Sequence, residues 1–182
     1  MIIMINGAFG VGKTTIANEL LKELKNSMLF DPEEVGFMLR SVIPPEVKDK
    51  EAKTGDFQDL KLWKELTVTL ANLLIKNYRV NLIVPMTICN PDYFDYIKNG
   101  FKNIDNQTYH FCLIANEDTI YQRLRKRGEE EGNWCFQQTK KCIQAFEQFN
   151  FEEYIKTDDL SIIEIVNVIK GKIAKASLVD DI

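Results

Sequence analysis

Met1-Ile-Ile-Met-Ile-Asn-Gly7-Ala8-Phe9-Gly10-Val11-Gly12-Lys13-Thr14-Thr15 opens the chain, and the fold follows from how this stretch is read. Ile2 to Ile5 is a short apolar run rich in β-branched side chains, the composition of a strand buried on both faces. Gly7, Gly12, Lys13 and Thr14 then fill the pattern G-x-x-x-x-G-K-[ST], and helical spacing begins directly behind them. Strand, loop and helix in register give the pattern a mechanism. Glycines remove the Cβ atoms that would stop backbone N–H groups from curling around a phosphate. A helix N-terminus at Lys13 adds unpaired donors and the positive end of a dipole. The Lys13 ammonium is placed for β- and γ-phosphates and the Thr14 hydroxyl for Mg²⁺, so Gly7, Ala8, Phe9, Gly10, Val11, Gly12, Lys13, Thr14 and Thr15 are the expected ATP-binding positions.

Working outward, helical spacing through Ile16, Ala17, Leu20, Leu21 and Leu24 predicts a first helix over residues 13–26. Met28 to Phe30 is a brief strand ending in Asp31-Pro32-Glu33-Glu34. Asp31 reads as a helix cap, with Pro32 at the first helical position and Glu34 three residues on. It also stands at the carboxyl end of a strand neighbouring the phosphate loop, where open α/β sheets bind ligands, so capping and chemistry coexist there. The next helix runs through Val35, Phe37, Met38 and Val42 to Pro44-Pro45, and Arg40 on it can face the same cleft. Residues 46–55 are charged and end in Thr-Gly-Asp, which predicts a loop, and a long, largely buried helix over 57–78 follows. At its spacing Trp63 reads as core before ligand platform.

The third strand, Val80 to Pro85, continues as Met-Thr with no acid at its end, so the usual second carboxylate for metal and base work is missing and the burden shifts to Asp31. Tyr109 to Ala115 is the fourth strand; its lone His110 reads as structural. A helix from 117 carries Arg123, Arg125, Lys126 and Arg127, four positive charges in five residues ahead of Gly128-Glu-Glu-Glu-Gly132. In an acidic protein that cluster predicts a lid over phosphates near 123–134; a solvated face paired with the nearby glutamates is the competing reading. A helix over 134–149, a short strand Tyr154–Lys156 and a C-terminal helix opened by Leu160-Ser161, with Glu164 at the capping-box spacing, complete the chain. The alternation, with a phosphate loop in its first turn, gives one α/β domain over 1–182: a five-stranded parallel sheet with helices on both faces.

Composition bounds the partners. A net charge of −4 over 182 residues leaves no basic footprint, so nucleic acid is not an expected partner. Cys89, Cys112, Cys135 and Cys142 show neither C-x-x-C pairing nor metal-ligand spacing, which suits reduced thiols in a cytoplasmic protein. Neither a signal peptide nor a bilayer-spanning run is evident.

Several stretches together resemble the bacterial tunicamycin-resistance ATP-binding proteins, a group of small P-loop kinase-like proteins. They are Ile5-Asn-Gly-Ala-Phe-Gly-Val-Gly-Lys13-Thr14, Asp31-Pro-Glu-Glu-Val-Gly-Phe-Met-Leu-Arg40-Ser41, Ile83-Val-Pro-Met-Thr-Ile88, Arg123-Leu-Arg-Lys-Arg127 and Ile155-Lys-Thr-Asp-Asp-Leu-Ser-Ile162. The resemblance implies a P-loop NTPase fold of the nucleoside and shikimate kinase type, ATP and Mg²⁺ as cofactors, and a nucleoside-like or sugar-bearing small molecule, such as an antibiotic, as second ligand. It implies that Asp31 organises metal or activates the acceptor hydroxyl. Phe37, Arg40, Gln58 and Trp63 would contact the acceptor, Arg123 would lie over adenine, and Arg127 would approach the phosphoryl group. Some family members carry a basic amphipathic C-terminal extension; this chain ends in the acidic Leu178-Val-Asp-Asp-Ile182, so membrane contact is not expected. Two functions stand side by side, phosphoryl transfer to the small molecule and ATP-dependent sequestration without transfer. A nucleic-acid-linked NTPase ranks behind both on charge. Monomer and homodimer are equally open.

Overall fold

The computed structural model describes residues 1–179. The chain runs β1 (Ile2–Gly7), α1 (Lys13–Glu23), β2 (Ser27–Leu29), α2 (Pro32–Val42), α3 (Pro45–Glu51), α4 (Lys61–Tyr78), β3 (Asn81–Met86), α5 (Pro91–Ile104), β4 (Thr108–Ile114), α6 (Glu117–Lys126), α7 (Trp134–Gln148), β5 (Tyr154–Lys156) and α8 (Ile162–Val179). The sheet order is β2-β3-β1-β4-β5, and every pairing is parallel. β1 is the central strand, with Ile3 opposite both Ile83 and Tyr109. The crossovers from β1 to β2 and from β3 to β4 run in opposite directions across the sheet. The loop after β1 therefore sits at the switch point where such sheets bind ligands.

Side-chain alternation divides the core into two layers. Ile2, Met4, Leu82 and Val84 face α2, α4 and α5 through Leu39, Trp63 and Phe101. Ile3, Ile5, Ile83 and Leu113 face α1 and α8 through Ala17, Leu20 and Val166. All six residues of β1 are buried, as its apolar run requires. None of the helices among the described residues is long and apolar enough to cross a membrane.

Some boundaries differ from the sequence expectation. Residues 46–55 are not loop throughout, since Pro45 at the first helical position starts α3, whose seven residues are all unburied. A charged, core-free segment carries no apolar periodicity to announce a helix. The expected 57–78 helix is divided into a single 3₁₀ turn, Phe57–Asp59, capped by Asp56, and α4, with Leu60 extended between them. α1 stops at Glu23, because Leu24 is extended and Asn26 turns left-handed at φ 53°. Before α8 the expected capping box is formed. Ser161 N–H donates to Glu164 Oε2 at 2.8 Å and Glu164 N–H to Ser161 Oγ at 3.3 Å. The acidic end of the tail, Asp180 to Ile182, lies outside the described residues.

Candidate active site

The loop from Gly7 to Thr14 is held from both sides. Gly7 pairs with Leu113 of β4, and a Cβ there would meet Leu113 O at 2.7 Å. Gly12, at φ 111°, caps α1 in the left-handed region with open space around the missing Cβ, which leaves the α1 N-terminus accessible to an anion. Asn6 at the end of β1 locks the neighbouring loop after β3, accepting from Ile88 N–H at 2.9 Å and donating to Ile88 O at 3.0 Å. Arg123 on α6 ties the loop to the end of β5, donating to Val11 O and Thr157 Oγ1 at 3.1 Å and to Thr157 O at 3.0 Å. Its donors are thus engaged by the protein, and what it offers a base is the flat guanidinium face.

The Lys13 amine donates to Ala8 O at 3.0 Å and lies 5.3 Å from the Phe9 ring centre. Burial lowers its pKa from 10.5 to about 8; Glu33 opposes that fall, while Arg127 adds to it. Arg127, the residue that closes α6, is exposed, and no ion pair or hydrogen bond holds its guanidinium among the described residues. Arg125, by contrast, is paired with Glu131 at 2.7 Å. The solvated-pair reading of the basic cluster therefore applies to Arg125, while the Arg127 charge is one that acts on the loop lysine.

Asp31 caps α2: its Oδ1 accepts from Glu33 N–H at 2.9 Å. Burial raises the pKa of Asp31, and burial followed by the Asp31 charge raises that of Glu33. Glu33, not Asp31, lines a cavity of about 400 Å³ beside the phosphate loop, together with Phe9, Phe37, Arg40, Asp56, Gln58 and Trp134. The sequence reading missed Glu33. With Pro32 at the first turn, the residue two beyond the cap points forward from the helix N-terminus, and that spacing was the available signal. Asp56, Thr87 and Trp134 were also missed as cavity residues, because loops far apart in sequence bring them there.

Arg40 donates to Gly55 O and lies 5.0 Å from the Phe57 ring centre, while Phe37 meets Phe57 edge-on at 5.8 Å. Gln58 Nε2 donates to Thr87 O at 2.7 Å. Trp63 stands behind this wall: it is 1% exposed and its indole N–H donates to Pro32 O at 3.0 Å. The structure therefore corrects its assignment as a ligand contact. Phe9 packs edge-on against Trp134 at 5.3 Å on the opposite rim.

No cluster of three or more His, Cys, Asp or Glu capable of holding a metal occurs among the described residues. A divalent cation here would rely on the exposed Thr14 hydroxyl, phosphate oxygens and water, an arrangement that fits Mg²⁺, which keeps most of its water.

A glycine-rich loop, a buried lysine and a helix N-terminus at the switch point of a 2-3-1-4-5 parallel sheet define a P-loop NTPase of the kinase-like class. Residues 3–145 match the AAA domain family, and the chain belongs to it. It is similar over 94% of both chains, at 29% identity and a TM-score of 0.76, to the tunicamycin resistance protein of Deinococcus radiodurans. It shares its fold with shikimate kinase from Acinetobacter baumannii (16% identity, 97% of this chain and 94% of that one, TM-score 0.64). The same holds for a gluconokinase from Sinorhizobium meliloti 1021 (14%, 96% and 91%, TM-score 0.62). No curated protein matches the chain.

Proposed function

We propose that the protein is an ATP- and Mg²⁺-dependent phosphotransferase of the cytoplasm, acting on a nucleoside-like or sugar-bearing small molecule such as tunicamycin. The observation that carries this reading is the Glu33-lined cavity opening beside the Lys13 end of the phosphate loop, large enough for a small polar acceptor. Mg²⁺ would supply charge neutralisation on the phosphates. Gly7 to Thr15 bind the phosphates through backbone N–H groups, and the Thr14 hydroxyl is the protein's metal contact. Lys13 breaks from Ala8 O to reach the phosphates. Glu33, held at raised pKa against the acceptor cavity, accepts the hydroxyl proton, while Asp31 fixes the α2 N-terminus and keeps a second negative charge acting on Lys13. Arg127 swings over the γ-phosphoryl as the lid segment 123–134 closes, and Arg123 anchors that segment. Phe37, Arg40 and Gln58 line the acceptor side.

A second reading, ATP-dependent sequestration, is favoured by one observation: no acid follows β3, where a second metal carboxylate would stand. Incubation of the protein with MgATP and tunicamycin, followed by mass spectrometry of the antibiotic, separates the two. Addition of one phosphoryl group is the expected result. Unmodified antibiotic recovered from a tight, ATP-dependent complex would replace transfer with sequestration.

A further inference from the structure

Two thiols meet at the back of the acceptor cavity. Cys89 follows β3 and is half-buried, Cys142 lies in the middle of α7 and is buried, and both line the same cavity wall. Lining one cavity of about 400 Å³, the two thiols are near enough for each to act on the ionisation of the other. They are 53 positions apart, yet each stands next to a tie to the phosphate loop. Ile88, one residue before Cys89, is clamped on Asn6 through both backbone groups. Thr139, three residues before Cys142 and on the same helical face, donates to Phe9 O at 3.2 Å. The pair thus bridges the loop after β3 to the helix that returns from the lid.

We propose that Cys89 and Cys142 are a reversible oxidation site for peroxides, whose disulfide fastens α7 to the β3 loop and holds the acceptor cavity in one geometry. The polarity of the pair sets the order of events. The Cys142 hydrogen bond lowers the pKa of Cys89, and the Lys141 charge acts in the same direction while burial and Asp56 oppose it. Cys142, donating that bond and buried, has its pKa raised, with Cys89 and Asp56 opposing ionisation and Lys13 favouring it. Cys89 is therefore the nucleophile. Its thiolate attacks one peroxide oxygen, the O–O bond breaks, sulfur is oxidised to sulfenic acid, and the departing hydroxide takes up a proton as water. The Cys142 sulfur then attacks the sulfenic sulfur, an S–S bond forms as the S–O bond breaks, and the leaving hydroxide takes the Cys142 proton. Two thiols and one peroxide give one disulfide and two waters. Forming the bond brings the two sulfurs to about 2.05 Å. Cys112 is buried in β4 within the opposite part of the sheet core, and the half-buried Cys135 stands at the start of α7, so neither belongs to this pair.

The site is read chemically, independently of whether phosphoryl transfer occurs. The full chain is treated with hydrogen peroxide under native conditions, alkylated, digested and mapped by mass spectrometry. The expected result is loss of two of the four free thiols, appearance of a linked Cys89–Cys142 peptide, and full reversal by dithiothreitol. In C142S the reaction should stop at a Cys89 sulfenic acid that dimedone traps, and in C89S oxidant consumption should fall to the level of the double variant. Oxidation of Cys135 in preference to Cys89, or a protein that keeps four free thiols at peroxide levels that oxidise a free low-pKa thiol, would overturn the proposal. Because the wild-type map alone decides the linkage, a variant that fails to fold leaves the test intact.

Discussion

Glu33 and Asp31 sit two positions apart at the start of α2 and are separable by substitution. Asp31→Asn keeps a good N-cap, so stability should change by less than about 0.5 kcal/mol and any loss of turnover reads charge. Glu33→Gln should lower kcat by about a hundred- to ten-thousand-fold, as removal of a general base does, and Asp31→Asn by less. A Glu33→Gln enzyme at wild-type rate, with Asp31→Asn inactive, would return the base to Asp31. The raised Glu33 pKa also places the acidic limb of kcat/KM above the ordinary glutamate value of about 4.3. The alkaline limb belongs to Lys13 in the free enzyme, where loss of the ammonium near pH 8 weakens ATP capture. The same lysine makes a stability prediction. Its folded pKa of about 8 lies below the unfolded 10.5, so between these values the unfolded chain holds more protons and stability rises with pH. Lys13→Met should abolish the ATP-induced rise in Tm, raise the Tm of the ligand-free protein at pH 7 by removing an unpaired buried charge, and flatten that alkaline rise. At this scale the sequence was most legible where a motif fixes the spacing, from Gly7 to Thr14. It was least legible at Glu33 and Trp134, whose significance comes from segments meeting in space.

Among the elements, those with a buried face were readable and those without were not. β1 carries an apolar run that is buried throughout, and α4 buries a periodic stripe through Trp63, Thr67 and Ala71, although Leu62, Leu70 and Leu73 stay exposed and the helix is less buried than its leucines suggest. α3 buries nothing and so left no pattern. The acceptor wall depends on a tight contact between α2 and the turn after α3. A Cβ on Gly36 would meet the Phe57 ring at 2.3 Å, and that ring is the platform for Arg40 and Phe37. Gly36→Ala should therefore destabilise the protein by about 1–3 kcal/mol, the usual cost of overpacking, and weaken acceptor binding more than ATP binding. Equal losses in both, measured by calorimetric titration, would mean that Phe57 does not shape the acceptor side.

For the molecule as a whole, alternation of strands and helices with a phosphate loop in the first turn was sufficient to give the five-stranded parallel sheet, because right-handed crossovers leave few other topologies. Topology stops at the second ligand: the fold shared with shikimate kinase and gluconokinase does not name an acceptor, and on the proposed reading the side chains around Glu33 select it. In the proposed mechanism this cavity delivers a hydroxyl to the γ-phosphate. The most direct measurement is the ratio of ADP formed to acceptor phosphorylated in single reactions with tunicamycin and with sugar-bearing nucleosides. A one-to-one ratio with at least one acceptor, lost in Glu33→Gln, is the result expected here; ADP formation with every acceptor recovered unmodified would contradict it.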